Sequence, residues 1–281
     1  MTTLVTGARG NVGARVLRRL QAAGRPVRAA SRTPGGLAVA PGTPTVALDL
    51  TDPATHADAL ADVERVFLYA EPAGSTEFLT AAVAAGVGHV VLLSSETVEL
   101  PDAATDPLAR HHAVVEDALT GSGLAWTILR PGAFAGNAAG WAGPIGQGAV
   151  VDQPFAESQV APVHEDDIAD VAVAALTGDE LHGRTVTLTG PESLTFREEI
   201  GTIASLLGRD VAVRDLDRAE AERTLAGRIP PPVLTSLLDQ WGAGVGRPAP
   251  TRTCESITGR PARTFRQWAS ENLALFDRSA A

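Results

Sequence analysis

Through the first half of the chain, short apolar runs alternate with stretches whose apolar residues recur three and four positions apart. The runs predict strands at Thr3 to Thr6, Pro26 to Ser31, Thr45 to Leu48, Arg65 to Tyr69, His89 to Ser94 and Trp126 to Leu129. The stretches between them predict helices: Val12, Val16, Leu17 and Leu20 share one face, and Gly24 is placed to close that helix. Alternation of this kind folds as βαβ units with right-handed crossovers. The class expected is therefore α/β, a doubly wound parallel sheet.

The pattern changes after Arg130, Pro131 and Gly132, where a Gly-rich stretch reaching Gly148 reads as loop or short helix. This predicts a core over 1–150 and a smaller, mostly helical C-terminal lobe over 151–281. Residues 160–190 return a helix (His164 to Leu176) and a strand (Thr185 to Thr189) to the core. Thr195, Phe196, Arg197 and Glu198 have the spacing of a capping box, opening a helix expected to run to Leu207 and end at Gly208. Residues 209–281 read as mostly helical, with a break at Pro230, Pro231 and Pro232 and a Gly/Pro-rich connection from Gly242 to Pro250.

Composition narrows the chemistry. No apolar run approaches the roughly 20 residues of a membrane span. The amino terminus enters its first strand without a basic segment and apolar signal core, so a cytoplasmic location and no membrane partner are expected. A formal charge of −10 argues against direct nucleic-acid binding, which needs clustered cations. A small molecule is the expected partner, and a homodimer is left open. Cys254 is the one cysteine, which excludes an intrachain disulfide and any multi-cysteine zinc site, and no metal is expected. All 23 basic residues are arginine. A chain without lysine has no Schiff-base residue, no Walker lysine and no tyrosine–lysine catalytic pair, and Tyr69 is its one tyrosine.

Gly7, Gly10 and Gly13, with Arg9, Asn11 and Val12 between them, lie directly after the first strand and open the first helix. Such a turn lets backbone amides and the positive end of the helix dipole meet a pyrophosphate, the Rossmann arrangement for a dinucleotide. The second strand ends at Ser31 and Arg32 without an acid to hold a ribose 2′-hydroxyl. Arg32 instead suits a 2′-phosphate and can stack on adenine, which points to NADP(H). Arg9 is a candidate second cation. Asp49 and Leu50, after the third strand, suit the adenine edge, although Asp49 equally suits a cap for the helix that follows. Tyr69 and Ala70, and Ser94 and Ser95, end the fourth and fifth strands, where ligands of open α/β sheets bind.

Taken together, Thr6 to Gly13, Ser31 and Arg32, Ser122 to Phe134, Val163 to Ala169 and Thr189 to Glu192 resemble the NmrA-like family of atypical short-chain dehydrogenases/reductases. That family includes NAD(P)H quinone oxidoreductases and isoflavone-reductase-like enzymes. The resemblance implies NADP(H) along the strand ends in a cleft between core and lobe, with Pro131 near the nicotinamide. It implies Phe134, Asn137 and Trp141 on the substrate side, though Phe134 and Trp141 equally suit plain lobe packing. Relatives often carry a lysine on the helix before the Ile128-Leu129-Arg130-Pro131 segment, whereas this chain has His111 and His112 there. His112 shares a stripe with Leu108, Val115 and Leu119. It either binds the cofactor ribose, serves as a general acid, or is a core-edge residue without chemistry. His111 is the second candidate acid.

The function expected is NADPH-dependent reduction of a small apolar or aromatic carbonyl, enone or quinone. The rival is a redox-sensing regulator that binds NADP without turnover.

Overall fold

The structure is a computed structural model and describes residues 1–252 and 254–277. Its strands are β1 (Thr3–Val5), β2 (Val27–Ser31), β3 (Thr45–Ala47), β4 (Arg65–Tyr69), β5 (His89–Leu93), β6 (Ala125–Pro131), β7 (Val151–Pro154), β8 (Gln159–Val160), β9 (Arg184–Leu188), β10 (Leu194–Thr195) and β11 (Val213–Leu216). The α-helices are α1 (Gly13–Ala22), α2 (His56–Leu60), α3 (Ser75–Ala84), α4 (Pro107–Thr120), α5 (Ala142–Gly146), α6 (Glu165–Thr177), α7 (Phe196–Leu207), α8 (Arg218–Leu225), α9 (Pro231–Gly244), α10 (Glu255–Thr258) and α11 (Phe265–Glu271).

The chain divides into two compact units. The first comprises Met1–Pro131, Glu165–Leu188 and Cys254–Arg260, and the second Gly132–His164, Thr189–Thr253 and Pro261–Ala281. The first unit is a seven-stranded parallel sheet in the order β3-β2-β1-β4-β5-β6-β9. Its strand order reverses between β1 and β4, the place where doubly wound sheets open a ligand crevice. On one face, Leu4, Val66, Leu68, Val90, Leu92 and Ile128 pack against Leu60, Phe78, Leu79, Val115 and Leu119 of the covering helices. Full burial of each such side chain contributes about 1.5–3 kcal/mol. Elsewhere in this unit α1 packs on α6. That pair is tied by Arg15 to Asp166 at 2.9 Å and by Arg19 to Asp170 at 2.6 Å.

The second unit joins two chain segments distant in sequence: β7 pairs in parallel with β11, and β8 antiparallel with β10. Ile145, Val151, Ile200, Ile203, Phe265, Trp268 and Phe276 form its main core. Leu216, Ala221, Leu234 and Leu238 form a smaller cluster, with Phe155 and Trp241 against it. The capping box at the head of α7 forms as expected, Thr195 and Glu198 bonding reciprocally, and Gly208 closes the helix at φ 65°. Two expectations for this region are corrected. Val213–Leu216 is a strand within a stretch that reads as helical, because its partner β7 lies far upstream. The proline run does not merely break helices: Pro231 and Pro232 stand in the first turn of α9, where a missing N–H costs nothing. Positions 253 and 278–281 of the expected helical stretch lie outside the described residues. Among the described residues, no helix is long and apolar enough to cross a membrane.

Candidate active site

The crevice at the sheet's reversal is built by the turn after β1. Gly7 sits at φ 58°, and a Cβ there would come within 3.1 Å of the Tyr69 ring at the end of β4. Gly13 starts α1 so close to the turn that a Cβ would lie 2.3 Å from the Gly7 carbonyl oxygen. Val12, at the helix N-cap, offers no capping side chain, and the first turn holds no acid. The amide end of α1 therefore has no side-chain cap, an arrangement that suits an anion. Gly7, Arg9, Ser31, Arg32, Leu50 and Tyr69 line one groove of about 210 Å³, with Thr6, Ala8, Ala30, Thr33 and Leu48 completing it. Gly10, Asn11, Val12 and Gly13 continue the turn beside it and do not line it.

Two guanidiniums border this groove. Arg9 donates to the Thr33 carbonyl at 2.6 Å, and Arg32 has no hydrogen-bond or ion-pair partner among the described residues. Asp49 accepts from the Thr51 amide at 3.0 Å and hydroxyl at 2.8 Å. Those bonds first, and then the charge of Arg32, hold its carboxyl below the usual range. It caps no helix: Asp52 does so, accepting from Ala54 at 3.1 Å. Burial, then the charge of Glu71, pushes the Tyr69 phenol up, so it stays neutral at physiological pH. The residues present fit a phosphorylated dinucleotide: small side chains at the turn, Arg32 directly after β2 with Arg9 from the turn beside it, and an Asp49 carboxyl near Arg32 that is occupied by its bonds to Thr51.

The other expected positions divide. Ser94 is buried and donates to Glu116 at 2.5 Å, and Glu116 also grips Arg130 through Nε at 3.0 Å and Nη2 at 2.5 Å. Ser95 accepts from the Thr97 amide at 3.2 Å, capping a short 3-10 turn. Both serine hydroxyls therefore serve the strand ends. Pro131 closes β6 and is buried. His111 is exposed and donates from Nε2 to the Ala70 carbonyl at 3.2 Å. His112 is half-buried, its Nδ1 enclosed without a partner. Burial, then the neighbouring His111, lowers its pKa to about 4 despite the opposing Glu116. At neutral pH His112 is uncharged. It can donate or accept a hydrogen bond but is not the imidazolium that a general acid near pH 6.5 would require.

In the second unit, Phe134, Asn137 and Trp141 come together on a cavity of about 650 Å³. Trp141 donates through Nε1 to Gln153 at 2.9 Å, and its ring meets Phe196 edge-on, which in turn meets Trp241 at 5.6 Å between centroids. Glu199, Arg228 and Ile229 also line the cavity. Sequence reasoning missed Phe196, Glu199, Arg228 and Trp241. The first two were visible only as the opening of a capped helix, and no local spacing links them to Trp141 or Trp241.

Comparison with known proteins agrees with these features. Residues 7–179 match the model of an NAD(P)H-binding family. The chain is 39% identical to a (4-alkanoyl-5-oxo-2,5-dihydrofuran-3-yl)methyl phosphate reductase of Streptomyces griseus, over 97% of this chain and 98% of that one. It is 31% identical to an NAD(P)H azoreductase of Xenophilus azovorans, over 97% and 98% of the respective chains. A crystal structure of an NADPH-dependent quinone oxidoreductase from Escherichia coli superposes with a TM-score of 0.79 at 25% identity, covering 97% of this chain and 99% of that one. The protein belongs to the NAD(P)H-binding family and is an NAD(P)H-dependent oxidoreductase of the atypical, NmrA-like short-chain dehydrogenase/reductase type.

Proposed function

We propose that this protein uses NADPH to reduce a small acceptor that carries a carbonyl group: an apolar or aromatic carbonyl, an enone or a quinone. The observation that carries the reading is the aromatic cavity of the second unit, whose walls of Phe134, Trp141, Phe196 and Trp241 suit a flat acceptor. NADPH supplies the hydride. The chain's part is to hold the nucleotide at the Gly7 to Gly13 turn, to pair its 2′-phosphate with Arg32 and Arg9, and to give the acceptor a pocket with aromatic walls. His112, neutral at working pH, serves as a hydrogen-bonding group and not as the acid.

The relative from Streptomyces griseus acts on a ring alkene conjugated with carbonyl groups and bearing an alkanoyl chain and a phosphate. A similar molecule would find apolar walls for its chain here. Arg228, exposed at the cavity and without a carboxylate partner among the described residues, suits its anionic group. Steady-state oxidation of NADPH with a panel of enones, aromatic aldehydes, quinones and butenolide phosphates tests the reading. Turnover is expected with at least one class and to be faster with NADPH than with NADH. Tight NADPH binding with no turnover on any acceptor would favour a nucleotide sensor instead.

A further inference from the structure

Glu199 does not behave as a carboxyl placed for solvation or for pairing. It stands in the first turn of α7, is 4% exposed, and lines the same cavity as Phe134, Trp141, Phe196 and Trp241. Its Oε1 is buried without a hydrogen-bond partner. Its neighbour Glu198 caps the helix by reciprocal bonds with Thr195, so the structural duty at this helix end is already taken. A buried polar group without a partner is costly, and native proteins keep few of them unless a ligand, water or reaction uses the group. A cavity walled by four aromatic rings, with polar side chains such as Asn137, Gln153 and Arg228 elsewhere in its lining, that holds one buried and unpartnered carboxyl is therefore a candidate binding site with a polar contact ready.

We propose that Glu199 donates a hydrogen bond to the acceptor's carbonyl oxygen and gives that oxygen its proton during reduction. This assignment rests on the cavity being the acceptor site. Burial holds the carboxyl up to about 8, so it is protonated at neutral pH and can act as a donor. The balance closes with the known cofactor. Two electrons and one hydrogen reach the acceptor as the hydride of NAD(P)H. The Oε–H bond of Glu199 breaks as an O–H bond forms on the acceptor oxygen, and water returns a proton to the carboxylate left behind. The cavity thus selects flat apolar molecules that carry a hydrogen-bond-accepting oxygen, and it discriminates against pure hydrocarbons of the same shape.

The test compares wild type, Glu199→Gln and Glu199→Leu with benzylideneacetone as the probe. Calorimetric binding without NADPH comes first. Glu199→Gln, whose amide still donates, is expected to bind within about threefold of wild type, and Glu199→Leu roughly tenfold more weakly. Wild-type affinity is expected to fall above pH about 8, and the affinity of Glu199→Gln is expected to be flat there. In turnover with NADPH, Glu199→Gln is expected to lose about a hundredfold in kcat, together with the alkaline break in the pH profile. Equal affinities in all three proteins at every pH would overturn the assignment, as would a Glu199→Gln enzyme that keeps both the wild-type rate and the break. Absence of turnover in wild type would instead sink the reductase reading for enones. The calorimetric comparison would still decide the fate of Glu199 by itself.

Discussion

At the scale of single side chains, Arg32 bears on the proposed preference for NADPH. Arg32 directly follows β2 and lines the groove beside the glycine turn, and among the described residues it has no hydrogen-bond or ion-pair partner, although its charge reaches the Asp49 carboxyl. A guanidinium that gains a phosphate partner forms charge-assisted bonds worth about 2 kcal/mol, roughly thirtyfold in affinity. Arg32→Ala is therefore expected to raise the Kd for NADPH by about that factor while leaving NADH nearly unchanged, as read by calorimetry with both coenzymes. A parallel loss for both would mean that Arg32 does not meet the 2′-phosphate. Ordinary pKa values mislead at this scale. A histidine's ordinary pKa lies near neutrality, but enclosure of His112 beside His111 lowers it to about 4. A glutamate reads as an anion, yet burial among aromatic rings keeps Glu199 protonated.

Among the elements, those whose partners are near in sequence were the most legible. The central strands of the first half, β1, β4 and β5, are largely buried and show as apolar runs, and the expected bounds of all six fall within a residue or two of the observed β1 to β6. The capped α7 was equally plain, because its start and stop are encoded by Thr195, Glu198 and Gly208 themselves. β7 and β11 were not legible: each is four residues long, and the pairing of Val151 with Val213 depends on a contact no local pattern records. The cofactor turn could be read from its glycines and the cavity lining only in part, since Trp241 and Phe196 reach it through tertiary folding. The turn also makes a sharp prediction. An added methyl at Gly13 meets the Gly7 carbonyl at 2.3 Å, so Gly13→Ala must shift backbone. It is expected to cost about 1–3 kcal/mol of stability in denaturant titrations and to weaken nucleotide binding. Gly35→Ala, with open space around it, is expected to stay within about 0.5 kcal/mol of wild type.

For the whole molecule, two buried titratable groups bear on the response to pH. His89 on β5 is buried, with Nε2 3.0 Å from the Thr127 hydroxyl and its ring 4.0 Å from that of His182. Burial first, then the charges of His182 and Arg65, lower its pKa to about 4. The unfolded chain takes up this proton near pH 6.5, whereas the folded one resists until about pH 4. The stabilisation is therefore complete above about pH 6.5 and lost as pH falls through that window, by about 3 kcal/mol. Denaturant midpoints measured at about pH 7.5 and about pH 4.5 are expected to fall less in His89→Gln than in wild type. Identical drops would remove His89 from the acid response. Glu199 works in the opposite sense: its contribution is complete below its ordinary pKa of 4.5 and is lost as pH rises through about 8.

The seventh strand of the sheet, β9, reaches its place beside β6 only after the chain has left for Gly132–His164 and returned. On a ribosome, six strands emerge well before the one that covers their open margin. Until residue 188 has left the exit tunnel, β6 offers a bare row of amides and carbonyls to any neighbouring nascent chain. Expression truncations ending near residue 150 leave that margin permanently uncovered, so they invite aggregation and do not yield a minimal nucleotide-binding module.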